Sequence, residues 1–211
     1  MIIDEFGNEE YSEEELDDIC DEYYEKMDIS DEDKEERKKL AKELYALLIF
    51  LLLLLQNQVI YKALDVEQVI SQFRARLKTI CFKYTTIDTY IEKYINKVTT
   101  NVIKTTVDNM EKSDYWTSGE RALSIALDES NSILNYDDFQ RAKALGYTRK
   151  KWVTMKDNRV RRKHRVLDGK TIPIDDKFKV GSSRLLFPRD EVNCVDLEDI
   201  AGCRCALKYI P

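Results

Sequence analysis

The stretch RRKHRVLDGK at residues 161–170 contains the only histidine of the 211-residue chain. An imidazole can move a proton, bind a metal ion or hydrogen-bond to a phosphate, so His164 is the first candidate for chemistry. With Arg161 and Asp157 it forms the candidate catalytic set of a nuclease-like effector. His164 would act as acid or base, and Arg161 would stabilise charge on phosphorus. The sequence offers no second histidine as its proton-transfer partner.

Metal binding is the second chemistry that the residue types allow. His164, Cys203 and Cys205 are the candidate ligands, and Cys194 is a candidate fourth. A structural zinc site usually takes four ligands, and the guanidinium of Arg161 would oppose a cation. We therefore predict no cofactor, with zinc as the alternative. The five cysteines are too few and too scattered for a disulfide scaffold, which favours a reducing compartment.

The third interpretation is a polar cluster that shapes the fold. Its members are Asp157, Arg159, Arg161, His164 and Asp168. Arg161, His164 and Asp168 recur at helix-like spacing and could hydrogen-bond to one another, and Asp168 begins a turn signal. Cys203 and Cys205 alternate on a predicted strand and therefore share one face. This structural role is the one we predict for His164.

Charge divides the chain into an acidic part and a basic part. Residues 1–43 carry 19 acidic against 6 basic side chains, whereas residues 141–170 carry 12 basic against 2 acidic. The asymmetry indicates docking between the two parts or separate partners, with the basic segment contacting phosphate. The predicted nucleic-acid contacts are Lys150, Lys151, Arg162, Lys163 and Arg165. Such contact would be non-specific and steeply salt-dependent, and local salt bridges are the alternative.

A run of twelve apolar residues, LYALLIFLLLLL, extends from Leu44 to Leu55. It is shorter than the roughly 20 residues that a membrane-spanning helix needs. We predict a buried helix and no stable membrane insertion. Because the run is apolar on every side, the helix should lie centrally in a bundle or enter a protein interface.

Helix signals occupy the chain up to Gly146, and short β-prone segments separated by turn residues follow it. Predicted helices begin at the caps Ser12, Ser30, Asp65 and Ser118, with a further long helix after Thr86 and a separate short one from Asn135. The predicted fold class is α+β, mainly α. We expect a helical bundle or arm with an acidic N-terminus at residues 1–118 and a small α+β C-terminal module at 119–211.

The order of residues from Trp152 onward resembles the phage Mu protein F-like minor head family, also described as the head-morphogenesis family. The matching residues are Trp152, Asp157, Arg159, Val160, Arg161, His164, Leu167, Asp168, Gly169, Phe178, Pro188, Cys203, Arg204 and Cys205. In this family an upstream helix often contains Arg-Thr-Glu followed by Asn, of which Glu129 and Asn131 remain here. Other branches carry a cysteine pair at the positions of Arg161 and His164, which looks like part of a zinc set.

The resemblance covers roughly residues 119–211 and implies a minor virion component, located in the capsid interior or near the portal, and in the host cytoplasm during assembly. The implied partners are portal or capsid proteins and the double-stranded DNA genome. The implied function is head morphogenesis, with roles in genome packaging or ejection through protein and DNA binding and not through catalysis. A nuclease-like effector that uses His164 and a generic nucleic-acid-binding protein are the alternatives.

Overall fold

The structure is a computed structural model that describes residues 2–3 and 9–211. The helices are α1 (Glu13–Tyr24), α2 (Asp31–Ile60), α3 (Val66–Tyr84), α4 (Thr89–Val107), α5 (Gly119–Ala144) and α6 (Arg162–Arg165). The strands are β1 (Ile2–Ile3), β2 (Glu9–Glu10), β3 (Arg149–Val153), β4 (Thr171–Pro173), β5 (Phe178–Val180), β6 (Ser183–Leu185) and β7 (Ala206–Ile210). The predicted class, α+β and mainly α, is confirmed.

Most helix starts follow the predicted capping chemistry. The Ser12 hydroxyl accepts from the backbone of Glu15, whose carboxylate accepts in return from the Ser12 backbone, a complete capping box. The side chains of Ser30, Asp65 and Ser118 cap α2, α3 and α5. Each side chain satisfies an N–H group that the first helical turn leaves without a partner.

The prediction of a separate short helix from Asn135 was wrong, because α5 is continuous from Gly119 to Ala144. Asn135 does not cap a helix because tertiary contacts occupy its side-chain amide. Its nitrogen donates to the Pro188 carbonyl at 3.0 Å, and its oxygen accepts from Arg37 at 3.2 Å. A cap needs that oxygen free for a backbone N–H of its own helix.

The leucine-rich part of α2 packs into the helical core, mainly against α5. Its buried members are Leu44, Leu47, Leu48, Leu51, Leu52 and Leu55. The opposite side is less covered: Phe50 is 42% exposed, and the Arg76 guanidinium lies 4.4 Å from its ring centroid. The structure therefore buries one face of this helix within the chain, and entry of the less covered side into a protein interface stays a prediction. Among the described residues, α2 is also the one helix long and apolar enough to cross a membrane.

The C-terminal strands form two small antiparallel sheets, of order β4-β3-β7 and β5-β6. They enclose a second core beneath Trp152, which is fully buried. Its members are Trp152, Leu167, Phe178, Val180, Leu185, Cys194, Ile200, Cys203 and Cys205. The two C-terminal cysteines are thus interior residues of a compact module.

The first core crosses the predicted boundary at residue 118, because α5 packs with α2. Tyr24 hydrogen-bonds to Ser130 at 2.5 Å, and Arg37 forms an ion pair with Asp138 at 2.9 Å. Residues 119–144 therefore share their core with the N-terminal helices. The division of the chain into domains at residues 1–118 and 119–211 stays a prediction.

Candidate functional site

His164 lies inside the C-terminal module, on the one-turn helix α6, with 3% of its surface exposed. Its Nε2 atom is 2.9 Å from the Asp199 carbonyl oxygen. Its Nδ1 atom is 3.3 Å from the Cys203 sulfur and 3.6 Å from the Cys205 sulfur. A carbonyl only accepts, so the proton of a neutral ring lies on Nε2 and the Nδ1 lone pair faces the sulfurs. We call His164, Cys203 and Cys205 the His164 cluster.

Asp199 fixes the position of this cluster. Its carboxylate accepts from the backbone N–H groups of Ser182 and Ser183 at 3.1 and 3.0 Å and forms an ion pair with Lys163. These interactions lower the pKa of Asp199 to about 2 even though burial opposes ionisation. A Cβ atom on Gly181 would lie 2.1 Å from the same carboxylate, so this turn requires glycine.

The sulfur atoms carry the negative charge of the His164 cluster. Burial opposes ionisation of Cys203, but hydrogen bonds with Cys205 and His164 hold the pKa of its thiol well below the usual value. The hydrogen bond with Cys203 and burial raise the pKa of the Cys205 thiol. Burial disfavours a charged His164, yet the contact with Cys203 raises the imidazole pKa. The cluster therefore favours one thiolate beside the imidazole.

The geometry of the His164 cluster fits a tetrahedral metal ion. All three ligand atoms lie within 4.8 Å of one another. Zinc bonds of about 2.0 Å to nitrogen and 2.3 Å to sulfur put tetrahedral N···S edges at roughly 3.5 Å, close to the 3.3 and 3.6 Å found. The hydrogen bond from Nε2 to a carbonyl is the outer-shell contact that metal-binding histidines usually make.

Cys194, the candidate fourth ligand, does not lie in the His164 cluster. Its sulfur contacts the Asp196 carbonyl at 3.0 Å and the Ser183 hydroxyl at 3.8 Å. A hollow of about 20 Å³ opens on the other side of the cluster, bordered by Arg159, Arg161 and Arg204. Among the described residues, only His164, Cys203 and Cys205 bring ligand atoms close enough together to share this metal ion.

The predicted polar cluster is divided among different partners. Arg161 donates to the Glu198 carbonyl, and Asp157 forms an ion pair with Arg204 at 2.7 Å. Asp168 accepts from the backbone N–H of Thr154 at 2.8 Å. Helix α6 ends at Arg165, so the predicted helical network from Arg161 through His164 to Asp168 does not form.

The remaining member, Arg159, is exposed and donates its backbone N–H to Asp157 at 3.1 Å. The candidate catalytic set is therefore not assembled around His164. Asp157 pairs with Arg204, and both ring nitrogens of His164 have buried partners.

The predicted nucleic-acid contacts differ in exposure. Arg162 and Arg165 are exposed, and Lys151 and Lys163 are half-buried. Lys150 is completely buried and donates to the Leu186 carbonyl at 2.7 Å, so it is not available at the surface. Burial lowers the pKa of Lys150 to about 8. Side chains alternate along β3, so Lys150 lies on the same face as the buried Trp152. This alternation could have predicted that Lys150 is buried, but the many basic residues around it favoured an exposed position.

Arg189 is a buried residue that the sequence analysis missed. It adopts a left-handed backbone conformation, with φ of 62°, and only 3% of its surface is exposed. Its guanidinium lies 2.8 Å from Asp128, 3.0 Å from Glu129 and 3.2 Å from Glu191. It also donates to Ser132 and to the Ile200 carbonyl. We call Arg189 and its three carboxylate partners the Arg189 cluster. Glu129, which the family motif retains, is the sequence signal that could have led to it.

The Arg189 cluster has more carboxylates than cations. Burial raises the pKa of Glu129 to about 7, with Arg189 opposing the rise and the two neighbouring carboxylates adding to it. Burial also raises the pKa of Glu191 and Asp128. Because one guanidinium cannot neutralise three carboxylates, the cluster favours a shared proton near neutral pH.

A family model described as phage Mu protein F like protein matches residues 89–208, which is more than half of the chain. The chain belongs to the phage Mu protein F-like family. The match extends from α4 to β7 and includes both the His164 cluster and the Arg189 cluster. It begins one helix earlier than the resemblance at residues 119–211 indicated. Membership in this family implies a phage head-morphogenesis protein.

A curated relative of this Mu F-like chain is the NAD(+)–arginine ADP-ribosyltransferase EFV of Enterococcus faecalis. The two are 30% identical over 128 residues, which cover 55% of this chain and 26% of the relative. The chain therefore spans about a quarter of the length of that enzyme. No solved structure matches the chain significantly.

Proposed function

We propose that this Mu F-like protein is a minor head component that acts by binding, in the capsid interior or near the portal, and contributes to packaging or ejection of the genome. The observation that carries the proposal is the family match across α4 to β7. The less covered side of α2, with Phe50 42% exposed, supports a contact with a portal or capsid protein.

The site geometry favours binding over catalysis. A general acid or base must come within hydrogen-bond reach of the substrate proton. His164 is 3% exposed, and its ring nitrogens face a backbone carbonyl and two sulfur atoms. The nuclease alternative predicts cleavage of RNA or DNA that disappears in His164→Ala. We expect no cleavage by either protein.

We further propose that the His164 cluster binds one zinc ion through His164 Nδ1 and the sulfurs of Cys203 and Cys205. Zinc would link α6 to the start of β7, and its charge would stabilise the thiolates. The distances from His164 Nδ1 to the two sulfur atoms match those expected around a tetrahedral zinc ion, and they support this site more strongly than the sequence did. Native mass spectrometry tests it: a folded protein at the apo mass, after purification with added zinc, would exclude the site.

DNA contact is proposed for the predicted basic residues other than the buried Lys150, namely Lys151, Arg162, Lys163 and Arg165. A non-specific phosphate contact requires accessible cations, and Arg162 and Arg165 meet that requirement. Duplex affinity measured by anisotropy should fall steeply between 50 and 200 mM salt, as it does for proteins that release counterions from about six or more phosphates. An affinity that does not change with salt would exclude this contact.

The assembly role is tested in the phage genome that encodes the chain. Deletion of the gene should lower the yield of DNA-filled heads, and mass spectrometry should detect the protein in purified wild-type particles. Normal head yields together with absence from the particles would overturn the proposal.

A further inference from the structure

We propose that Arg159, Arg161 and Arg204 form a binding site for a terminal phosphate group. The three side chains border both the small hollow beside the His164 cluster and a larger groove of about 410 Å³ that continues from it. The inference is separate from the proposed DNA contact, whose residues lie outside this groove. Head morphogenesis does not depend on it.

The positive charge at this site is only partly neutralised. Arg204 forms an ion pair with Asp157 at 2.7 Å, and its guanidinium lies 6.0 Å from the ring of Tyr23. Among the described residues, no carboxylate pairs with Arg159 or Arg161, and Arg161 uses one Nη atom to donate to the Glu198 carbonyl. Two guanidiniums therefore keep charge and donors for a bound anion.

The chemistry of the donors selects the ligand class. A guanidinium presents paired N–H donors that match the oxygens of phosphate or carboxylate. Several guanidiniums around one hollow fit a dianion with three terminal oxygens better than a carboxylate, which has two. A phosphomonoester carries between one and a half and two negative charges near neutral pH.

The second wall of the groove carries side chains that favour a terminal phosphate over a continuous nucleic-acid backbone as the ligand. Glu22 and Glu120 line that wall and are exposed, while Ile19, Leu123 and Leu127 supply apolar surface. A strand that crossed the groove would bring phosphates against these carboxylates, and like charges repel. A ligand with one phosphate at its end avoids this repulsion and places its organic part on the apolar surface.

The groove is large enough for such a ligand. Small-molecule sites commonly have volumes of about 300–1,000 Å³, and this groove lies within that range. Gly202 lines both the small hollow and the groove with a φ of 62°, a left-handed conformation that favours glycine, so no side chain projects from this position. A free nucleotide and the end of a nucleic-acid strand both carry such a terminal phosphate.

Titration calorimetry on the full chain tests the site, with inorganic phosphate, adenosine monophosphate and adenosine as probes. We expect saturable binding of phosphate and of the nucleotide, no binding of the nucleoside, and a loss of affinity of about tenfold or more in Arg159→Gln/Arg161→Gln. The matched control is Arg184→Gln/Lys170→Gln, which removes the same charge at exposed positions outside the groove and should bind like wild type. A 5′-phosphorylated and a 5′-hydroxyl oligonucleotide identify the source of the phosphate.

Absence of saturable phosphate binding to the wild-type protein would overturn the proposal, as would an equal loss of affinity in the control variant. Zinc content is measured for every variant. If phosphate affinity falls only in variants that have lost zinc, the phosphate binds the metal ion, and the proposed role of the arginines is overturned. Should the double variant fail to fold, Arg159→Gln alone decides, since the described residues give its side chain no partner. Unchanged phosphate affinity in that folded variant would exclude Arg159 from the site.

Discussion

The two buried polar clusters of the C-terminal module balance their charges in opposite ways. The Arg189 cluster contains its own cation, and five groups accept from the guanidinium: Asp128, Glu129, Glu191, Ser132 and the Ile200 carbonyl. The His164 cluster combines two thiols with an imidazole, whose contact holds the pKa of the Cys203 thiol well below its usual value, and a hollow lies beside them. The Arg189 cluster already contains its cation and favours binding a proton, whereas the His164 cluster has ligand atoms for a metal ion from solution.

The difference follows from the residue types. A guanidinium has five donors and cannot lose its charge, so it can organise several carboxylates permanently. Thiolate sulfur and imidazole nitrogen are both strong ligands for zinc. Burial therefore produces a fixed ion network in one place and a metal-binding geometry in the other. Four experiments test this contrast.

The largest effect is expected from Arg189→Met. It leaves three buried carboxylates without their cation, and breaking a buried ion pair usually costs about 3–5 kcal/mol. Chemical denaturation should show a loss of that size in the free energy of unfolding. Arg184→Met, on an exposed position of β6, is the control and should change stability by less than about 0.5 kcal/mol. A similar small loss for Arg189→Met would show that the cluster does not depend on its cation.

Zinc removal should have the next largest effect. A ligand present at about 1,000 times its dissociation constant stabilises the folded state by roughly 4 kcal/mol, so a chelator should lower the melting temperature measurably. Cys203→Ser should abolish the effect of zinc. Cys194→Ser should retain it, since Cys194 lies outside the cluster. Equal responses of the two variants to zinc would contradict the assignment of ligands.

The Arg189 cluster should make stability depend on pH between about 4.5 and 7. The pKa of Glu129 is about 7 in the folded protein and 4.5 as its ordinary value, so the folded state holds the proton more strongly. Stability therefore falls as pH rises through this range, by an amount on the order of 3 kcal/mol for this fully buried group. Glu129→Gln cannot ionise and should flatten the curve of unfolding free energy against pH. An unchanged slope would assign the proton to another group.

The smallest effect on stability is expected from Arg162→Gln, because this side chain is exposed. Its free energy of unfolding should stay within about 0.5 kcal/mol of wild type. If Arg162 contacts one phosphate of duplex DNA, the slope of log affinity against log salt should become shallower by about 0.9. A change in stability without a change in slope would assign Arg162 to the fold.

Local sequence signals predicted the helices well and failed where tertiary partners intervened. Ser12, Ser30, Asp65 and Ser118 cap helices because the backbone N–H groups that donate to their side chains are only three residues away. Asn135 has the same chemistry but lies inside α5, where Arg37 and the Pro188 carbonyl occupy its amide. The capping rule describes local competition and does not include such distant partners.

The sequence also identified the candidate metal ligands more easily than their arrangement in space. The residue types identified His164, Cys203 and Cys205, and a predicted strand placed the two cysteines on one face. The rarity of zinc sites with three protein ligands, together with the nearby Arg161, argued against metal. The distances between the ligand atoms changed that balance.

The sequence by itself determined the class of the fold, most helix starts and the family motif from Trp152 to Cys205. Each depends on interactions within a few residues or on the order of residue types. Tertiary structure decided that Lys150 is buried, that Arg189 holds three carboxylates, and that His164 meets a sulfur 39 residues away. These outcomes depend on how strands and helices pack, because burial and long-range partners set the energy of a polar group more than its neighbours in sequence.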